Sequence, residues 1–357
     1  MSQGITINDR FIPWTAIPTS AGKTIQEQEA ISFISRWLTG TSEFELKTSG
    51  STGTPGTIIV SREQMELSAL RTLDHFGLGP DDHALVAMNT KFIAGKMMLL
   101  RALLGEMHVT VQEPSRLPNL EHSAFTFLAI TPLQLQEILD KMNWRLLTSY
   151  KCILVGGAPV SAFLRKELSK LPLNIFETYG MTETVSHIAV RRLGGPSAET
   201  LFTCIHDLEL KTDTLDRLQI KGAITSHQWL QTNDRVLLHG KLQFEWLGRS
   251  DWVINSGGIK IQPEKLEEIL EGIFSEQGWK NSFYIHGWPH HAYGEVAILI
   301  IEGNLPAPEI EIKEILLRVI DRYEIPKKIV SLPSFIRTET GKIQRIRTAE
   351  LLSPLTF

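Results

Sequence analysis

Residues 125–155 read FTFLAITPLQLQEILDKMNWRLLTSYKCILV. Phe125 to Ile130 is a short, nearly all-apolar run of strand length. Thr131 offers a side-chain oxygen for a helix N-cap, and Pro132 suits the first helical position, where no amide hydrogen is needed. Leu135, Ile138, Leu139 and Met142 then recur at i, i+3, i+4, i+7, the period of one helix face. Cys152 to Val155 is a second apolar run. A helical stretch from Pro159 to Lys170 and a third strand over Asn174 to Phe176 follow. Strand, helix, strand, helix, strand is the pattern of parallel βαβ units. Strands apolar at every position need cover on both faces, so the sheet is expected to lie between helical layers.

Working outward, Ser61 and Gln64 have the spacing of a capping box before a helix running to about Phe76. Pro263 starts a helix carrying Leu266, Ile269 and Leu270. Ile312, Ile315, Leu316, Val319 and Tyr323 form one stripe of another, and Phe283–Ile285 and Val296–Ile301 read as strands. The last third therefore reads as α+β with shorter elements. Between Phe244–Leu247 and Trp252–Ile254 lies the polar turn Gly248-Arg249-Ser250-Asp251, a composition common in linkers. The expected division is 1–249 and 250–357.

The chain has 357 residues, enough for about two domains. Its 42% hydrophobic and 21% charged residues exclude a disordered or collagen-like chain. A formal charge of −4 argues against a dedicated nucleic-acid binder. Cys152 and Cys204 are too few for a disulfide framework or a four-thiolate zinc site. No secretory signal is visible, and no segment reaches the roughly 18 apolar residues of a membrane span. The expected compartment is the cytoplasm. His290 and His291, with His286 nearby, lack a further ligand set at metal spacing and are assigned to a turn.

Residues 48–56 read TSGSTGTPG. This loop offers many backbone N–H groups and hydroxyls with no bulky side chain, which suits polyphosphate oxygens. It is not a Walker A loop, since no Lys-Ser/Thr pair follows. Taken alone, it is equally compatible with a flexible surface loop. Four further segments accompany it in order: Tyr179-Gly-Met-Thr-Glu-Thr184, Gln231-Thr-Asn-Asp234, Gly248-Arg-Ser-Asp251 leading into Ile254–Ile261, and Thr338-Glu-Thr-Gly-Lys-Ile343. Together they resemble the adenylate-forming superfamily of acyl-CoA synthetases, peptide-synthetase adenylation domains and luciferases, over roughly residues 44 to 350. Arg101-Ala-Leu-Leu-Gly105, Val155-Gly-Gly-Ala-Pro159 and Gly180–His187 carry a nearer likeness to the o-succinylbenzoate–CoA ligases of menaquinone biosynthesis.

The resemblance implies two half-reactions: ATP and a carboxylic acid give an acyl-adenylate and pyrophosphate, and a thiol then displaces AMP. Positioning and charge stabilisation should dominate the catalysis. It implies that Thr48, Ser49, Ser51, Thr52 and Thr54 hold the β- and γ-phosphates. Thr182 would bond the α-phosphate and Glu183 would hold Mg²⁺, a hard cation suited to carboxylate oxygen. Tyr179 and Gly180 would lie against adenine, with Gly156, Gly157 and Ala158 lining the adenine and acyl pockets. Asp234 would accept from the ribose hydroxyls, Arg249 would lie near them, and Asp251 would be the hinge. Lys342 would bridge carboxylate and α-phosphate oxygens during adenylation. Gly257 and Gly258 would face the pantetheine arm of coenzyme A, although a tight turn would also select them. Ser186, His187 and Arg101 would face the acid. Arg101 reads either as the partner of a second carboxylate or as a helix-surface arginine.

Departures accompany the likeness. Gly56 stands where the family usually has lysine, Asn233 where it has glycine, and Phe92 where many relatives carry another aromatic or histidine. Only 47 residues precede the loop, which implies that much of one N-terminal subdomain is missing. The expected architecture is thus α/β: a large N-terminal domain with parallel and mixed sheets, truncated at its start, plus a small α+β C-terminal domain. The uncovered flank is compatible with a compact monomer or a homodimer. Three functions compete: an acid–CoA ligase with o-succinylbenzoate as the favoured acid, an adenylation enzyme loading a carrier protein, and a non-catalytic nucleotide-binding regulator.

Overall fold

A computed structural model describes residues 4–47, 56–121, 124–338, 341–353 and 355. The loop residues Thr48, Ser49, Ser51, Thr52 and Thr54 lie outside the described residues.

A mixed thirteen-stranded sheet occupies the described residues up to Arg249. From edge to edge its strands are Leu208–Thr212, Arg217–Gly222, Leu230–His239, Gln243–Arg249, Phe202–Cys204, His187–Arg192, Ile175–Gly180, Cys152–Val155, Phe127–Ile130, His83–Val86, His108–Val111, Gly4–Ile7 and Arg10–Pro13. The stretch from Ile175–Gly180 to Gly4–Ile7 is parallel throughout. The flanks are antiparallel.

The parallel centre has the double cover its apolar strands demand. Phe127, Ala129, Cys152 and Leu154 point into one core with Met65, Ala69 and Leu73 of helix Arg62–Phe76 and Met97–Leu100 of helix Ile93–Leu104. Leu128, Ile130, Ile153 and Val155 point the other way, onto Leu135 and Ile138 of helix Pro132–Lys141 and Leu164 and Leu168 of helix Ala162–Leu168. Alternation along a strand thus feeds two cores. The expected capping box of Ser61 with Gln64 forms, and the expected Thr131 cap proves to be a capping box with Gln134.

The first forty residues complete the sheet edge. Gly4–Ile7 pairs with His108–Val111, and helix Ile25–Leu38 buries Ala30, Phe33, Ile34 and Trp37 in the first core.

Glu43–Lys47 and Thr57–Ser61 pair as a separate hairpin, and from Ile254 onward the chain builds a five-stranded sheet. Ile254–Ser256 pairs with Ile259–Ile261 and Gly294–Glu302, which in turn pairs with Phe283–His290 and Lys328–Leu332. Helices Pro263–Glu276 and Glu309–Leu316 cover one face and bury Leu266, Leu270, Ile312 and Leu316.

Two helices differ from the sequence reading. The stretch expected from Pro159 starts at Ala162, because Ser161 takes the cap by accepting from the Leu164 amide at 3.1 Å, leaving Pro159 and Val160 outside. The helix expected to reach Tyr323 ends at Leu316. It buries Ile312 and Leu316, and beyond its end Ile320 is buried whereas Val319 and Tyr323 are 56% and 53% exposed.

Candidate active site

Two neighbouring parallel strands end at one cleft. Ligands of open α/β sheets bind at this carboxyl end, where loops and amides converge. Gly156, Gly157 and Ala158 follow Cys152–Val155, and Thr182 and Glu183 follow Ile175–Gly180; all five line the cleft. Glycine is required here by space. A Cβ on Gly156 would lie 2.3 Å from Thr178 Oγ1, and one on Gly180 would lie 2.3 Å from the Ser186 carbonyl oxygen.

Thr182 opens a short 3₁₀ turn, Thr182–Thr184. Thr184 is fully buried and its hydroxyl bonds the Met181 and Ser186 carbonyl oxygens. Val185 follows with φ +64° and ψ −54°, and the Ser186 amide donates back to Thr184 O at 2.6 Å. That is a γ-turn, strained for a β-branched residue. It puts Thr182, Glu183 and Ser186 on one cleft wall. Glu183 is exposed with no described partner, so its carboxylate fits a hard cation.

Asp234 sits on strand Leu230–His239, opposite Arg249 across the ladder. Its carboxylate is nearly buried and held from two sides. Tyr179 Oη donates to one oxygen at 2.8 Å and Trp246 Nε1 to the other at 3.1 Å. A carboxylate has about four acceptor sites, so about one on each oxygen remains for a ligand, matching a vicinal diol. Tyr179 packs edge-on against Phe244, and burial followed by the nearby Asp234 charge pushes its phenol well above the usual range, keeping it a donor.

Arg249 lines the cleft, but its guanidinium forks onto Asp251 through Nε at 2.9 Å and Nη2 at 2.6 Å. The expected ribose neighbour and the expected hinge residue are thus one ion pair.

Lys342 follows Gly341, which has φ +84°. The Thr338 amide donates to Lys342 O at 2.8 Å, and this turn brings Lys342 into the same cleft. Burial, then the Arg249 and Arg345 charges, lower its pKa from the usual lysine value, with Asp234 and Asp251 opposing. Such an ammonium gains from an arriving anion.

Arg101 is only 2% exposed on helix Ile93–Leu104, which excludes the surface reading. Its Nη2 donates to Ser186 Oγ at 2.9 Å, and among the described residues its Nε has no partner. Burial lowers its pKa to about 10, and among the described residues no carboxylate pairs with it. A buried cation without a counter-charge is costly unless a ligand supplies one. His187 lies beside it, its Nε2 3.2 Å from Thr72 Oγ1. Burial, followed by the Arg101 charge, holds the imidazole neutral.

Gly257 and Gly258 do not line the cleft. They form the two-residue turn between Ile254–Ser256 and Ile259–Ile261, with φ +59° and +87°. Positive φ at both positions is what this hairpin needs from glycine.

Sequence reading missed the groups that hold the site from behind. Trp246 lies in a strand whose alternation says only that it faces inward or out. Glu177, 3% exposed, pairs with Arg191 and accepts from the Val160 amide at 2.9 Å. Arg165 and Glu271 join the two sheets' helices. These partners are 12 to 109 residues apart, and no local motif marks them.

The family model of the AMP-binding enzymes matches residues 47–207. A crystal structure of an acyl-CoA synthetase (AMP-forming)/AMP-acid ligase II-like protein from Dyadobacter fermentans is 37% identical, with a TM-score of 0.62, covering 95% of this chain and 98% of that one. The chain belongs to the AMP-forming acyl-CoA synthetase family. The 2-succinylbenzoate–CoA ligase of Oceanobacillus iheyensis is 24% identical over 84% of this chain and 67% of its own length. The o-succinylbenzoate CoA synthetase of Bacillus subtilis, solved with its acyl-adenylate intermediate, shares the fold at 22% identity and a TM-score of 0.70, over 85% of this chain and 68% of that one. This synthetase has also been solved with ATP and magnesium ion. The chain therefore spans about two thirds of these ligases but nearly all of the Dyadobacter member. Among the described residues no helix is long and apolar enough to cross a membrane.

Proposed function

We propose that this synthetase adenylates a carboxylic acid bearing a second anionic group, with o-succinylbenzoate favoured, and passes the acyl group to coenzyme A. The observation that carries the substrate class is Arg101, a buried guanidinium without a carboxylate partner among the described residues, in the cleft that also holds Asp234, Thr182 and Lys342. The names of the related ligases support the particular acid.

In this reading Asp234 takes the ribose diol of ATP, and Thr182 bonds the α-phosphate. Glu183 would hold Mg²⁺, whose charge would offset that of the phosphates. The acid's reacting carboxylate attacks the α-phosphorus, a new P–O bond forms, and pyrophosphate leaves. Lys342 places its ammonium where negative charge gathers on the carboxylate and α-phosphate oxygens. The thiol sulfur of coenzyme A then attacks the acyl carbon, its proton is lost, and AMP departs with the C–O bond electrons. Residues 1–249 and 250–357 serve as the two moving units, with Asp251 as hinge. The turn at Gly257 and Gly258 meets the pantetheine arm after the second unit has swung.

ATP–pyrophosphate exchange with a panel of acids tests this. Exchange with o-succinylbenzoate well above that with benzoate or simple fatty acids is expected. Exchange with monoacids alone would overturn the dianion assignment, and none with any acid would overturn adenylation.

A further inference from the structure

The seam between the two sheets' helices is built around Val160, at the end of the loop that lines the nucleotide pocket. Arg165 Nη1 donates to the Val160 carbonyl at 2.5 Å, and its Nη2 pairs with Glu268 of helix Pro263–Glu276 at 2.6 Å. One turn along that helix, Glu271 accepts from the Ala162 amide at 3.2 Å. From beneath, Glu177 accepts from the Val160 amide. One guanidinium therefore holds both the pocket loop, Gly156–Val160, and the C-terminal helix.

We infer that Arg165 is a positioning residue that couples the seating of the C-terminal unit to the shape of the nucleotide pocket. The inference rests on the two-step reading above. Its logic is reciprocal. If seating Glu268 on Arg165 steadies the loop, a nucleotide that needs the steadied loop favours the seated unit by the same factor. The arrangement seen here has Lys342 in the cleft, so it is the adenylating one. When the C-terminal unit turns for thioester formation, Glu268 and Glu271 must leave Arg165 and the Ala162 amide. Their loss should then burden the first half-reaction and spare the second.

The test has two independent arms. In the first, E268Q, which removes the charge without removing volume, is assayed in both half-reactions. The KM for ATP in pyrophosphate exchange should rise about fivefold, although Glu268 is assigned no contact with nucleotide. Thioester formation from supplied acyl-adenylate should stay within about twofold of wild type. In an R165M background, E268Q should add nothing, since coupled residues are not additive. Equal loss in both half-reactions, no change in either, or full additivity would overturn the coupling.

The second arm does not depend on activity. Spin labels at K170C and E276C, both exposed positions, report the distance between the units, and Cys152 and Cys204 are buried. A narrow distribution should broaden in E268Q and R165M; an unchanged one would overturn the seam as a latch. If the wild type exchanges no pyrophosphate, the functional reading fails, while the distance arm still decides the latch.

Discussion

Replacing Arg101 with methionine separates a substrate-binding cation from a structural one. Arg101 is 2% exposed, its Nη2 is satisfied by Ser186, and its Nε has no partner among the described residues. A carboxylate arriving there gains about two charge-assisted hydrogen bonds, each contributing roughly 1.5–3 kcal/mol. Losing about 3–6 kcal/mol corresponds to a drop of roughly 10²- to 10⁴-fold in kcat/KM for a dianionic acid. A monoacid makes no such contact, so its kcat/KM should change less than about threefold. Stability should move the other way. Methionine fills similar volume and removes an unpaired buried charge, so R101M should melt at or above the wild-type temperature. The assay is pyrophosphate exchange with o-succinylbenzoate and benzoate, beside a thermal melt. Equal losses with both acids, or a melting temperature several degrees lower, would make Arg101 a structural residue and not a substrate contact.

Other consequences follow from the same geometry. K342A should abolish pyrophosphate exchange while thioester formation from supplied acyl-adenylate persists; equal loss in both steps would contradict the assigned role. Lys342 acts as a cation whose pKa burial has lowered, so adenylation should fail as pH rises through a value below the usual lysine range. Bound anions restore that pKa, so the alkaline limb of kcat should lie at higher pH than that of kcat/KM. W246F removes the Trp246 hydrogen bond to Asp234 and should raise the KM for ATP about fivefold, but hardly affect an analogue without ribose hydroxyls. Glu271 has a pKa raised to about 7 by burial, which the Ala162 amide opposes and Glu267 reinforces. Its folded value lies above the unfolded one, so its contribution to stability is full below about pH 4.5 and lost as pH rises through about 7. E271Q should flatten the melting temperature across that window, and an unchanged slope would count against it.

The central βαβ pattern was legible because Phe127–Ile130 and Cys152–Val155 are buried on both faces, which leaves no polar position to disguise them. The Thr131 cap and the Ser61–Gln64 box were legible because capping is local chemistry. The helix end at Leu316 was not, since Val319 continues the apolar period although it faces solvent. In the cleft, Lys342, Asp234, Thr182 and Glu183 each sit in a short distinctive segment, and the fold gathers them. What the segments do not encode is which side chain stands behind each. Trp246 behind Asp234 depends on a β-bulge between Arg235 and Val236 that sets the strand register. The pairing of Arg249 with Asp251 is only two residues long, yet its competition with a ribose contact shows only in three dimensions.

Mass spectrometry of the intact protein's products with ATP, Mg²⁺, coenzyme A and o-succinylbenzoate decides whether it is this ligase. The expected products are o-succinylbenzoyl-CoA with AMP and pyrophosphate in equal amounts. An acyl-adenylate that accumulates without thioester would contradict coenzyme A as the acceptor, and intact ATP would contradict the ligase itself.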